Sequence, residues 1–357
     1  MRPRLVVGAA LGTLASTALV AGAVHLNRVG KLRRDAAHQP DELPPDLPPD
    51  REYTVFADDG LALSVEELDP IVGGAPELTV VLVHGYTLDR RTWLFQRYEL
   101  AHSTAPRVRQ VLYDLRSHGR SGRSLRTAST IEQLGRDLHA VISTAAPEGP
   151  VVLVGHSMGG MTIMALAEHH PNLFVERICG VAFVNTSAGE IGRSGLSRPF
   201  LSRRSPIMSV ARPLSSWQPS TQAIDRGRTA AGNLAWSLTR KLSFVDPAIS
   251  PSIVELLYEM ISATCFEVVV DFVATFGTHN RYAALAGLRH VKALVIGTDS
   301  DPLIPYEHAE AIAALLPDVA LVQVEGAGHV PMLEKPKPVN EHLVEFLAKC
   351  AATLPQR

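Results

Sequence analysis

The stretch Pro150-Val-Val-Leu-Val-Gly-His-Ser-Met-Gly-Gly160 limits the fold more than any other part of this 357-residue chain. A short Val-rich run bounded by Pro and Gly predicts a strand buried on both faces, and the Met-Thr-Ile-Met-Ala-Leu-Ala run after it predicts a helix. Ser157 therefore stands where strand turns into helix. So sharp a turn strains its central residue, and Gly155 and Gly159 give the chain room to pass on either side. The arrangement lifts a hydroxyl clear of the sheet and leaves the first amides of the helix open to an anion.

The rest of the pattern agrees. Tyr53 to Ala57 and Leu61 to Glu67, joined through Asp58-Asp-Gly60, predict an opening hairpin. Strands predicted at 78–83, 108–113, 178–184, 291–296 and 319–324 alternate with helices over 91–103 and 130–144, from Tyr306 and from Pro338. Alternation of this kind means crossovers, hence an α/β fold with a mostly parallel central sheet and helices on both faces. Ligand sites in such sheets lie at the carboxyl ends of the strands.

Composition narrows the function. At 46% hydrophobic residues the chain can bury a large core, and a net charge of −2 gives no footprint for nucleic acid. Cys179, Cys265 and Cys350 are far apart in sequence, which excludes a zinc knuckle and a disulfide framework.

Residues 1–39 form an N-terminal hydrophobic anchor or signal segment. Leu5 to Val24 carries no charge and is long enough to cross a bilayer as a helix. Arg2 and Arg4 before it and Ala21-Gly-Ala23 near its end fit a cleavable export signal. Arg28, Lys31, Arg33 and Arg34 on the far side fit a retained anchor, the reading its length favours; the side of the membrane stays open. Residues 40–50, with five prolines, predict an extended, semi-rigid spacer.

A serine hydroxyl becomes a nucleophile when a base takes its proton, and the base needs an acid to fix its tautomer. His329, in Glu325-Gly-Ala-Gly-His-Val-Pro331, follows a predicted strand on a glycine-bearing loop that can fold back over the sheet. Asp299 and Asp301 both follow the strand ending Val-Ile-Gly297; one orients the imidazole and the other tightens the turn. The oxyanion needs donors, for which the amide of Met158 and that of Tyr86, in His84-Gly85-Tyr86, are placed. His84 itself is read as structural.

Over roughly residues 53 to 350 the chain resembles the α/β-hydrolase superfamily, in its lid-bearing branch of esterases, lipases and peroxidase-like members. His84-Gly85 matches the oxyanion loop, Ser157 the nucleophile and His329 the base. Trp93 falls where many members place a helix aromatic. Asp114-Leu-Arg116-Ser-His-Gly119-Arg-Ser121 matches the Asp-x-Arg-Gly-x-Gly-x-Ser loop, with Ser117 in place of its first glycine. The resemblance selects Asp301 by its spacing to Pro305, although Asp301 stands one residue further from Gly297 than family acids usually do. A serine at the elbow argues against the epoxide hydrolases and dehalogenases, which carry aspartate there. No metal or organic cofactor is implied.

The resemblance also divides the chain: a core of 51–186 and 281–352 and a helical lid insertion of 187–280. Glu190 to Lys241 holds nine Arg or Lys against two acids, and Ile253 to Phe276 is strongly apolar. A lid over an acyl pocket, with a basic rim suited to anionic lipid, is one reading; a solvated basic face above ordinary packing is the other. The expected activity is a serine carboxylesterase or lipase acting on small-molecule ester or lipid-like substrates. The same triad could serve a C–C bond, a thioester or perhydrolysis, and the fold could serve a noncatalytic binding protein.

Overall fold

The computed structural model describes residues 27–35, 43–191 and 221–354, with side chains from 232 onward in the last segment. The uncharged segment Leu5 to Val24 and most of the basic half of the insertion, including Arg203-Arg204 and Trp217, lie outside the described residues.

One eight-stranded sheet organises the chain: β1 (Arg51–Phe56), β2 (Ala62–Leu68), β3 (Leu78–Val83), β4 (Val108–Tyr113), β5 (Val151–His156), β6 (Ile178–Val184), β7 (Lys292–Thr298) and β8 (Val319–Val324). Their order is β1-β2-β4-β3-β5-β6-β7-β8. β1 and β2 run antiparallel, as does β2 against β4, and every later pairing is parallel.

Period-two alternation sorts the side chains of each strand between two cores. On β3, Val81 and Val83 join one core while Val80 and Leu82 join the other. The first core is closed by α3 (Ile131–Ala145) through Leu134, Leu138 and Val141, and by α4 (Met158–His169). The second takes α2 (Leu94–His102) and α11 (Pro336–Ala351), through Leu100, Leu343 and Leu347. α5 (Pro171–Glu176), α9 (Glu307–Ala313) and α10 (Pro331–Glu334) are short connectors. Thr130 caps α3 by accepting from the Gln133 amide at 3.2 Å. The helix predicted over 91–103 starts instead as a 3-10 turn, Arg90–Trp93, because the Asp89 carboxylate takes the Arg91 amide there.

Between β6 and β7 the chain leaves the sheet. Its described helices are α6 (Thr221–Ser243), α7 (Pro251–Ala263) and α8 (Phe266–Phe276). The two ends of this insertion meet: Gly189 and Asn280 form an antiparallel bridge, and the Arg281 amide donates to the Ala188 carbonyl at 2.6 Å.

A helix over residues 27–35, α1, lies on the insertion. Val29 is buried in the core with Trp236, Val254 and Leu257, and Arg33 makes a two-pronged ion pair with Glu255 at 2.7 and 2.9 Å. From Leu43 onward the proline-rich segment runs along the domain instead of standing off it. Leu43 packs on the second core, and Arg97 Nη2 donates to the Leu47 carbonyl at 2.6 Å.

Candidate active site

The elbow has the geometry its glycines require. Ser157 takes φ 50° and ψ −115°, a conformation costing a non-glycine residue on the order of 1–3 kcal/mol. The surroundings leave no slack to relax it. A Cβ on Gly159 would stand 2.2 Å from the Val83 carbonyl oxygen, and one on Gly155 would meet the Gly159 backbone at 2.6 Å. The Ser157 amide donates to Val184 O at 3.0 Å, and Thr186 Oγ1 donates to Ser157 O at 2.6 Å, so the turn is pinned from β6.

Three side chains from three strand ends meet in a line. His329 Nε2 lies 3.1 Å from Ser157 Oγ, and its Nδ1 lies 2.7 Å from Asp301 Oδ2. Asp301 is fully enclosed. Its other oxygen accepts from the amides of Leu303 and Ile304 at 2.8 and 3.0 Å, and Asn185 Nδ2 donates to Oδ2 at 2.8 Å. Burial pushes the carboxyl pKa up, but the His329 charge and these donors outweigh it and hold it below the usual carboxylate range. Asp299 stands apart from this line, exposed, where it accepts the Gly326 amide at 3.0 Å and closes the turn leading to His329.

Met158 is the first residue of α4, so its amide has no acceptor within the helix. Tyr86 follows Gly85, where an added Cβ would stand 3.3 Å from the Ser157 Cβ; the Gly85–Tyr86 peptide thus sits beside the hydroxyl-bearing side chain. The Tyr86 ring points into the insertion. It packs 5.1 Å from the ring of Phe276, edge on, and its hydroxyl donates to Val269 O on α8.

The other histidines near the site are fixed structurally. His84 donates Nδ1–H to Gly85 O at 2.8 Å and accepts the Leu115 amide on Nε2 at 2.9 Å. His156 donates Nε2–H to the His329 carbonyl at 2.8 Å, and His118 donates Nδ1–H to Arg116 O at 2.8 Å. Burial pushes the pKa of each of these last two down to about 3, so both are neutral imidazoles. Ser117 adopts φ 65°, the conformation of the glycine it replaces, and its Oγ accepts the Ser124 amide at 2.9 Å.

Two supporting residues escape the sequence reading. Asn185, at the carboxyl end of β6, bridges Asp301, Thr298 Oγ1 and Gly328 O. A polar residue directly after a buried strand, on the ligand side of the sheet, was the available signal. Glu334 is buried five positions after His329; one oxygen accepts the Val245 and Asp246 amides at 2.6 and 2.7 Å, the other that of Gly328 at 2.6 Å. Nothing local in the sequence announces it. Among the described residues no group of three or more His, Cys, Asp or Glu side chains is arranged to hold a metal ion, and no helix is long and apolar enough to cross a membrane.

A family model described as the alpha/beta hydrolase family matches residues 80–342. The acetyltransferase component of an acetoin cleaving system of Pseudomonas putida is 25% identical over 78% of this chain. That match spans 65% of the relative, less than two thirds of its length. The esterase PIR7B of Oryza sativa subsp. japonica is 24% identical over 75% of this chain and 95% of its own. Among solved structures, a thermophilic esterase from Thermogutta terrifontis superposes with a TM-score of 0.60 at 24% identity, covering 84% of this chain and 99% of that one. This last likeness is one of fold.

Proposed function

Since this chain belongs to the alpha/beta hydrolase family, we propose that it is a serine hydrolase that cleaves carboxylic esters with apolar acyl groups. The observation that carries the reading is the pair of contacts joining Ser157 Oγ to His329 Nε2 at 3.1 Å and His329 Nδ1 to Asp301 at 2.7 Å. His329 takes the hydroxyl proton through Nε2 as Ser157 Oγ attacks the ester carbonyl. Asp301 accepts Nδ1–H, which keeps Nε2 free as the base and stabilises the imidazolium that forms.

The amides of Met158 and Tyr86 take up the charge on the tetrahedral oxygen, helped by the N-terminus of α4. His329 then protonates the departing alkoxide, and water repeats the cycle on the acyl-enzyme. Residues 187–280 act as a lid. Its apolar α8, with Phe272 and Phe276 against the Tyr86 ring, favours substrates whose acyl chain is apolar. Leu5 to Val24 anchors the chain at a membrane.

The test is hydrolysis of p-nitrophenyl esters of graded acyl length by the full chain, beside Ser157→Ala and with a fluorophosphonate as label. A rate that peaks at one chain length, with labelling lost in the variant, supports the reading. A folded chain that neither turns over nor labels at Ser157 overturns it.

A further inference from the structure

Over residues 232–243, the part of α6 whose side chains are described, the exposed side is largely apolar where that of an ordinary surface helix is polar. Leu234, Leu238, Leu242 and Val245 are 53%, 49%, 37% and 44% exposed. The three leucines recur at four-residue spacing, so they form one stripe along the helix, and Val245 extends it just past the helix end. Trp236 on the opposite side is buried in the second core, so the helix is already seated and its leucines face outward by construction. A continuous apolar strip of this kind marks a surface built to meet something apolar.

Three further observations identify the occupant. α1 packs on α6 and α7, with Arg33 Nη1 donating to Asn233 Oδ1 at 3.3 Å, directly before Leu234. In sequence, the uncharged run Leu5 to Val24 ends three residues before α1 begins at residue 27, and α1 itself lies against α6. Arg28, Lys31 and Arg34 on α1 and Lys241 on α6 are exposed, against one exposed acid on α1, Asp35, so the two helices that meet at Asn233 carry a cationic excess. We propose that this face of the insertion rests on an anionic lipid surface, its leucines at the acyl boundary and its cations among the headgroups.

The placement deepens the proposed function, on whose anchored reading of Leu5 to Val24 it rests. The stripe ends at the base loop: Ser243 O accepts the His329 amide at 3.1 Å, and the Val245 amide is bound by Glu334, which also holds Gly328. A lipid surface against α6 therefore adjoins the loop that carries the base, and ester substrates partitioned in that surface have a short path to Ser157.

The experiment uses the full chain bearing Leu238→Trp, mixed with vesicles of phosphatidylglycerol containing dibrominated acyl chains. Phe56→Trp, at an exposed position of β1, is the control. The expected result is co-flotation with the vesicles and emission quenched at least twofold more by the brominated lipid in Leu238→Trp than in the unsubstituted chain, with no added quenching in Phe56→Trp.

Flotation without added quenching at position 238 overturns the proposal and leaves the anchor standing. Absence of flotation overturns both. Blue-shifted emission from Leu238→Trp before vesicles are added means that another part of the chain, or a second copy, covers the stripe, and also overturns it. Equal quenching in phosphatidylcholine overturns the role of the cations. None of these readings passes through Ser157, so an inactive chain reports as well as an active one.

Discussion

Glu334 takes the amide of Gly328 at 2.6 Å on one carboxylate oxygen while the other oxygen holds Val245 and Asp246, so one buried side chain ties the His329 loop to the insertion. Hydrogen bonds to a charged group are worth about 1.5–3 kcal/mol each when broken. Glu334→Gln places an NH2 group against amides that need an acceptor. Urea unfolding is expected to show a loss of about 2 kcal/mol, and ester turnover to fall in kcat more than in KM because His329 is displaced and the acyl pocket is not. An unchanged kcat in a folded variant argues against this coupling.

The acid can be identified by a matched pair of substitutions. Asp301→Asn keeps the volume but lets the amide impose the wrong imidazole tautomer, an effect on the order of 10⁴ in kcat where a triad operates. Asp299→Asn, which touches only the exposed Gly326 turn, is expected within about twofold of the parent. Similar losses in both would remove Asp301 from its assigned role.

How much of this was legible in advance follows from range in sequence. The elbow was readable because its constraints lie within five residues, from Gly155 to Gly159, and a buried strand such as Leu78–Val83 announces itself by an almost wholly apolar run. The His329 loop was readable from its position after a strand. Residue types alone left Asp299 and Asp301 level, since both follow β7; the resemblance chose Asp301 by its spacing to Pro305, and the turn geometry sets that residue, not Asp299, against His329. Asn185 offered one signal, a polar residue directly after a buried strand, that was not taken up; Glu334 and the docking of α1 were not legible, since each depends on contacts between segments scores of residues or more apart that no local pattern encodes.

The Ser117 turn separates strain from bonding. Ser117→Ala keeps φ 65° and loses the bond to Ser124, for an expected cost of about 1 kcal/mol. Ser117→Gly loses the same bond and also relieves the backbone, so its stability is expected within about 0.5 kcal/mol of the parent. Equal costs in the two variants would show that the turn is not strained.

Acid should unfold this protein early. His118 and His156 stay neutral in the fold down to about pH 3, while in the unfolded chain a histidine binds its proton near pH 6.5. The unfolded state therefore holds more protons between those values, and stability falls as pH is lowered through that window. At pH 5 each contributes a loss of roughly 2 kcal/mol. Asp301 acts in a lower window: its contribution is present above the unfolded value of about 3.9 and is lost as pH falls through its depressed folded value. Unfolding free energies by urea at pH 7, 6 and 5 check the sign, and a flat profile would contradict the buried neutral imidazoles.

The bridge between Gly189 and Asn280 bears on how the chain assembles. Pairing β6 with β7 must close a loop containing the entire insertion, yet closure entropy grows only with the logarithm of loop length, about 0.6 kcal/mol for each doubling. Because the neck is closed by a bridge between Gly189 and Asn280, strand order depends little on how long the intervening chain is. The chain inserted between β6 and β7 can thus lengthen, shorten or be exchanged over evolutionary time at almost no cost to the folding of the sheet that carries it.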